Sequence, residues 1–173
     1  MISIARLCSR LEGLPLAIEL AAARTRILSP KAILARLEDS LNLLTGGSRD
    51  RPERQQTMRG AVMWSYGLLN GTEKQAFRQL AVFSGGFRLE AAESVCSGNS
   101  DFLDTLSSLI DKSLLVRKET ADGEFRFKML DVVREFAGEM LHSEGEAFDS
   151  RGRHAEYFTQ FAEAAEPSLQ GAS

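Results

Sequence analysis

The spacing of apolar residues changes once along this chain, and that change decides the fold class. Over residues 72–112 they recur at helical intervals. Beyond that they shorten into two runs, Leu114-Leu115-Val116 and Phe125-Arg126-Phe127-Lys128-Met129, around Ala121-Asp122-Gly123-Glu124. An Asp-Gly pair between two short β-prone runs signals a hairpin. Three helical runs lead up to it. Thr72 is placed to cap a helix from Glu73 to about Phe83 that faces Phe77, Leu80 and Ala81 inward. After Ser84-Gly85-Gly86 a short helix is expected over Leu89–Cys96. Asp101 is placed to cap a third helix, ending at Lys112, with Leu103, Leu106, Leu109 and Ile110 on its apolar side. Helix, helix, helix, hairpin is the order of a winged-helix domain, expected here over residues 72–130.

The flanks are helical too. Ile4, Leu7, Cys8 and Leu11 share one helix face until Gly13 stops the run, and Pro15 sits in the first turn of a helix over Leu14–Ile27, where its missing N–H is harmless. Ser29-Pro30 restarts the chain as N-cap and first helical residue, and the segment closes with Leu41–Leu44. Thr45-Gly46-Gly47-Ser48-Arg49-Asp50-Arg51-Pro52 reads as a linker. A connecting helix over Glu53–Leu69 places Met58, Ala61, Val62, Trp64, Leu68 and Leu69 on its apolar side. Past the hairpin, Val132, Val133, Phe136, Ala137, Met140 and Leu141 mark one amphipathic helix. A last helix over Arg151–Glu166 carries Tyr157, Phe158, Phe161, Ala162 and Ala165 on a stripe without a downstream partner. The expected architecture is mainly α. It comprises a helical subdomain over 1–45, a linker and connecting helix over 46–71, the winged helix, and C-terminal helices over 131–173.

The chain offers no catalytic constellation. Gly46-Gly47-Ser48 lacks the following Lys-Ser/Thr pair and the opening strand of a phosphate loop, so neither a Walker A nor a Walker B element is present and no enzyme is expected. His142 and His154 fall on different helices with no ligand at metal spacing, and Cys8 and Cys96 sit on apolar faces. Two cysteines cannot build a disulfide framework, which suits a reducing cytoplasm. The longest apolar stretch, Leu14–Ala23, contains Glu19 and is too short to span a bilayer, and neither a leader nor a membrane is expected. Net charge is −3. The third helix of a winged helix often enters the major groove, but here it carries Asp101, Asp104 and Asp111 against Lys112 alone. The hairpin cations Arg117, Lys118, Arg126 and Lys128 can meet a backbone without conferring specificity. Direct DNA contact is therefore not expected.

Three stretches in fixed order resemble one family. Leu11-Glu12-Gly13-Leu14-Pro15-Leu16-Ala17-Ile18-Glu19-Leu20 is similar to the Gly-Leu-Pro-Leu-Ala motif of STAND-class signal-transduction ATPases, which include NB-ARC-like plant proteins and LuxR/AfsR-type bacterial regulators. Trp64-Ser65-Tyr66-Gly67-Leu68-Leu69 and Lys74–Phe83 resemble the entry to that family's winged helix, and Phe127–Ala137 the segment bearing its Met-His-Asp signature. The resemblance implies a non-catalytic regulatory module that takes part in ADP/ATP-dependent switching. Gly13, Leu14, Pro15 and Leu16 would lie at the nucleotide, with the Pro15 ring against the adenine. Met129, Leu130 and Asp131 would stand at the regulatory signature, where Leu130 replaces a histidine and cannot donate a hydrogen bond to phosphate. Nucleotide would be held only with a separate nucleotide-binding domain. Implied partners are that domain and helical repeats, on the same or another chain, with self-association through the aromatic C-terminal helix. The alternative reading is an autonomous winged-helix DNA-binding regulator.

Overall fold

The computed structural model describes residues 2–37, 40–47, 50, 52, 55–121 and 123–170. They divide into two units, one of residues 1–70 with 130–136, the other of residues 71–129 with 137–173.

The first unit is helical. Helix α1 (Ile2–Arg10) ends where Glu12 turns into the left-handed region, φ 54°, before Gly13 follows at φ 71°. Glu12 N–H donates to the Ser9 carbonyl and Gly13 N–H to the Cys8 carbonyl, so a glutamate holds the position of this cap usually given to glycine. Helix α2 (Pro15–Arg24) starts on Pro15 as expected but stops three residues short of Ile27. In α3 (Pro30–Ala35) the Ser29 hydroxyl accepts from Ala32 N–H, the cap read from the sequence. Helix α4 (Ser40–Leu43) is one turn, and its opening amides are taken up by the Glu135 carboxylate, which accepts from Ser40 N–H at 3.2 Å and Leu41 N–H at 3.3 Å. Helix α5 (Met58–Gly67) begins later than expected, because the Thr57 hydroxyl caps Gly60 N–H while Gln55 and Gln56 lie outside the helix; Glu53 and Arg54 of the expected helix lie outside the described residues. Gly47 N–H donates to the Gln56 carbonyl and Met58 N–H to that of Leu44, while Arg24 donates to Thr45. This part of the expected linker is hydrogen-bonded, and a Cβ on Gly47 would sit 2.9 Å from Gln56 Cα. Buried Leu7, Leu20, Ile33, Leu41 and Leu44 contribute about 2 kcal/mol each through lost water contact. Trp64 and Leu68, expected to be inward, are exposed.

The second unit contains a winged helix. Helix α6 (Gly71–Gln79) opens one residue before Thr72, which therefore lies inside the first turn. It runs into a 3-10 turn, Leu80–Val82. Helix α7 (Leu89–Val95) and α8 (Phe102–Asp111) follow, and Phe77, Val95 and Leu109 are fully buried. Asp101 makes no capping hydrogen bond. The Asn99 side chain does the linking instead, accepting from Asp101 N–H and donating to the Thr105 hydroxyl. Buried Glu73 ties α6 to α8 by accepting from the Ser108 hydroxyl and from Lys112 Nζ at 2.9 Å. Ser113, φ 58°, terminates α8, and Leu114 N–H returns to the Leu109 carbonyl. That cap consumes Leu114 and Leu115 as buried contacts, so strand β1 starts at Val116.

Strand β1 (Val116–Glu119) pairs antiparallel with β2 (Phe125–Lys128) in the register Val116↔Lys128, Arg117↔Phe127, Lys118↔Arg126 and Glu119↔Phe125. Phe87 adds a single-residue bridge on Phe127, exchanging both backbone hydrogen bonds at 2.8 and 2.9 Å. Helix α9 (Asp131–Ser143) closes on Gly145, φ 74°, with Gly145 N–H on the His142 carbonyl and Glu146 N–H on that of Leu141. Glu146 then takes a two-point ion pair from Arg78 at 2.6 and 3.1 Å. Helix α10 (Ala147–Gln170) starts four residues before the expected Arg151. Its stripe is not wholly unpartnered: Phe158 and His154 pack on Phe83, with His154 4.9 Å from it, centroid to centroid, while Phe161 stays exposed. Among the described residues, no helix is long and apolar enough to cross a membrane.

Candidate nucleic-acid interface

Side chains alternate across a β-hairpin, so the register sorts its residues onto two faces. Arg117, Glu119, Phe125 and Phe127 share one. Phe127 is buried, and the Arg117 guanidinium lies 4.4 Å from the Phe125 ring centroid. The other face carries Val116, Lys118, Arg126 and Lys128, with Lys118 directly opposite Arg126. Like charges facing each other across two strands destabilise the pair by a few tenths of a kcal/mol or more. The surrounding fold tolerates this on an exposed surface. Arg126 donates to the Gly86 carbonyl at 2.6 Å, and Arg88 pairs with Glu124 at 2.8 Å, bracing the hairpin from one edge. Lys118 is exposed and makes neither of these contacts.

Helix α8 presents the opposite charge. Leu103, expected in the core, is 61% exposed, and Asp101, Asp104, Ser107 and Asp111 are exposed with it. Lys112, which directly follows α8, is engaged with Glu73. Asp104 and Asp111 are seven residues apart and share one helix face. No Arg, Asn or Gln stands on the helix to pair with a base edge. In the sequence, the acidic helix and a hairpin able to meet only a backbone argue against DNA contact; the register adds that Lys118, Arg126 and Lys128 share the hairpin's outer face.

The residues carried over from the nucleotide motif lie in the first unit, apart from Met129. Gly13 and Pro15 are exposed, while Leu14 and Leu16 are half-buried. Met129 is buried, Leu130 half-buried and Asp131 exposed at the start of α9. Two of the motif segments meet through a residue the sequence reading passed over. Glu12 Oε2 accepts from Asp131 N–H at 2.7 Å, capping α9 across 119 positions of sequence. Beside this clasp lies a cavity of about 350 Å³ lined by Arg10, Leu11, Leu37, Ser40, Asp131, Val132, Arg134 and Glu135. Its two guanidiniums face two carboxylates, so it holds no net charge. Arg134 Nε is buried there without a hydrogen-bond partner, 4.0 Å from Asp131 Oδ1.

The remaining chemistry is sparse. No group of three His, Cys, Asp or Glu among the described residues can hold a metal. Burial against Phe83 and Phe158 lowers the His154 pKa below its ordinary 6.5. Burial pushes the Cys96 thiol up to about 12, against a smaller opposing pull from Arg153, which donates to the neighbouring Val95 carbonyl at 2.7 Å.

Fold and sequence agree on the class. Residues 69–142 match the family described as the winged helix-turn-helix domain, and the protein is mainly helical with such a domain. Over 164 residues the chain is 44% identical to a Mycobacterium tuberculosis (strain H37Rv) protein named "Putative HTH-type transcriptional regulator Rv0890c", covering 92% of this chain and 18% of that protein. It is 39% identical over the same length to "Uncharacterized protein Rv0894" of that strain, covering 42% of it. The chain thus spans under a fifth of the first relative and less than half of the second. It is similar over most of its length to proteins that include some named "Putative HTH-type transcriptional regulator", and its residues 69–142 match the winged helix-turn-helix domain.

Proposed function

We propose that the chain is the winged-helix module of a transcriptional regulator, and that it meets DNA through the wing's outer face and not through α8. The observation that carries this reading is the clustering of Lys118, Arg126 and Lys128 on one hairpin face, opposite-charged to the exposed side of α8. Cations on a flexible-stemmed surface neutralise phosphates without reading bases, so binding is weakly sequence-dependent and steeply salt-dependent. Fluorescence anisotropy with a labelled duplex tests it. About three phosphate contacts give a slope of log affinity against log salt of roughly −2.7. Lys118→Glu with Lys128→Glu should abolish binding, and Asp104→Lys should not. No binding at low salt, or sequence-specific binding lost on substitution of α8, overturns the reading.

The acidic face of α8 favours a second reading, a regulatory module that takes part in ADP/ATP-dependent switching. Pro15 is exposed on the first turn of α2, where it can meet a planar base, and Leu14 provides no side-chain cap to compete for the first-turn amides. The neighbouring cavity has no net positive charge and Leu130 offers no donor, so phosphate would have to be held by a separate nucleotide-binding domain. Joined to such a domain, the chain should bind ADP with an affinity that Pro15→Ala lowers. Unchanged affinity removes Pro15 from the site.

A further inference from the structure

The second unit carries two surfaces of opposite sign and similar spacing. On α8, Asp104 and Asp111 stand about 10 Å apart along the axis, with exposed Leu103 beside them. On the wing, exposed Lys118 and half-buried Lys128 are diagonal neighbours about 7–8 Å apart at the backbone, with half-exposed Val116 on the same face. Long lysine stems close the remaining difference, and each surface places one aliphatic side chain next to its charges. We propose that these surfaces bind each other between two copies of this chain, α8 of one against the wing of the other. The acidic helix then occupies the cations that a nucleic-acid backbone would otherwise neutralise. Opposite charges steer the encounter, Leu103 and Val116 lose water at its centre, and the contact weakens as salt rises.

The surfaces are distinct, so the same contact can form twice around a two-fold axis or repeat from copy to copy. Both arrangements raise the mass in solution. The inference does not depend on the DNA reading, because its readout contains no nucleic acid.

Sedimentation equilibrium tests it on the whole chain. At about 20 mM salt, where screening is weak, the average mass should exceed the 19.0 kDa of one copy. Near 0.5 M salt it should return to that value. Asp104→Lys with Asp111→Lys should weaken association at least about tenfold, as should Lys118→Glu with Lys128→Glu. None of the four residues is buried. The decisive arm mixes the two variants in equal amounts. Each charge-reversed α8 then meets a charge-reversed wing, and association should return although each variant alone associates at least about tenfold more weakly. Phe161→Asp on α10 should change nothing. A wild-type chain that stays monomeric at low salt overturns the proposal. So does association that survives both reversals, fails to return in the mixture, or disappears with Phe161→Asp.

Discussion

Glu12 holds two opposed contributions in one residue, and substituting it separates them. Its φ of 54° places a residue with a Cβ in the left-handed region, a strain of about 1 kcal/mol that glycine would not feel. Its carboxylate accepts the first amide of α9 at 2.7 Å, a cap of about 1 kcal/mol, with a few tenths more from the charge at the helix N-terminus. Glu12→Ala keeps the strain and loses the cap, so it should destabilise by about 1–2 kcal/mol. Glu12→Gly loses the same cap but relieves the strain, and should lie within about 1 kcal/mol of the parent. Alanine should therefore be less stable than glycine by about 1 kcal/mol, the reverse of their order inside a helix. Urea unfolding followed by circular dichroism measures both, compared at a common slope. Added salt should shrink the part due to charge and leave the alanine–glycine gap in place. A glycine variant no more stable than alanine would refute the left-handed cap. Two variants as stable as the parent would refute the clasp to Asp131.

Ser113 poses the same strain without a clasp, since its φ of 58° ends α8 on an exposed residue. Ser113→Gly should stabilise by up to about 1 kcal/mol in thermal or urea unfolding. His154 has a folded pKa below its unfolded 6.5, so on acidification the unfolded chain takes up the proton first. Its contribution to stability is therefore present above pH 6.5 and lost as pH falls below it, and His154→Gln should flatten that part of a pH–stability curve. With its thiol near 12 and buried, Cys96 should resist a thiol reagent at pH 8, while half-buried Cys8 reacts. Two thiols reacting at equal rates in the native chain would contradict this placement.

How far the sequence could be read depended on whether a signal was periodic. Three helices and a hairpin were visible because each repeats its apolar spacing over several residues, and Ser29-Pro30 and Asp122-Gly123 mark their boundaries chemically. Phe87 was not visible as a strand, since one bridging residue has no alternation to detect. Spacing alone places Leu103 on the core side of α8. The structure turns it outward because Phe102, Leu106 and Leu109 already fill the buried side. The sequence shows the wing's cations one by one, and only the strand register puts Lys118, Arg126 and Lys128 on one face. Glu12 escaped notice because its partner is a backbone amide 119 residues away, which no side-chain pattern announces.

The double hydrogen bond between Phe87 and Phe127 fastens the hairpin's backbone at its base. At the far end, Thr120 and Glu124 hold the turn by bonds made within the turn itself, and the solvent-exposed Arg88–Glu124 ion pair adds only a weak tie from outside. Amide hydrogen exchange should therefore be graded along the wing, slowest at Phe127 and fastest past Lys118. Any ligand that grips the cationic face has to still the loose end, surrendering entropy to do so. The protection it confers should rise most at the turn, and that footprint would locate the ligand without a structure of the complex.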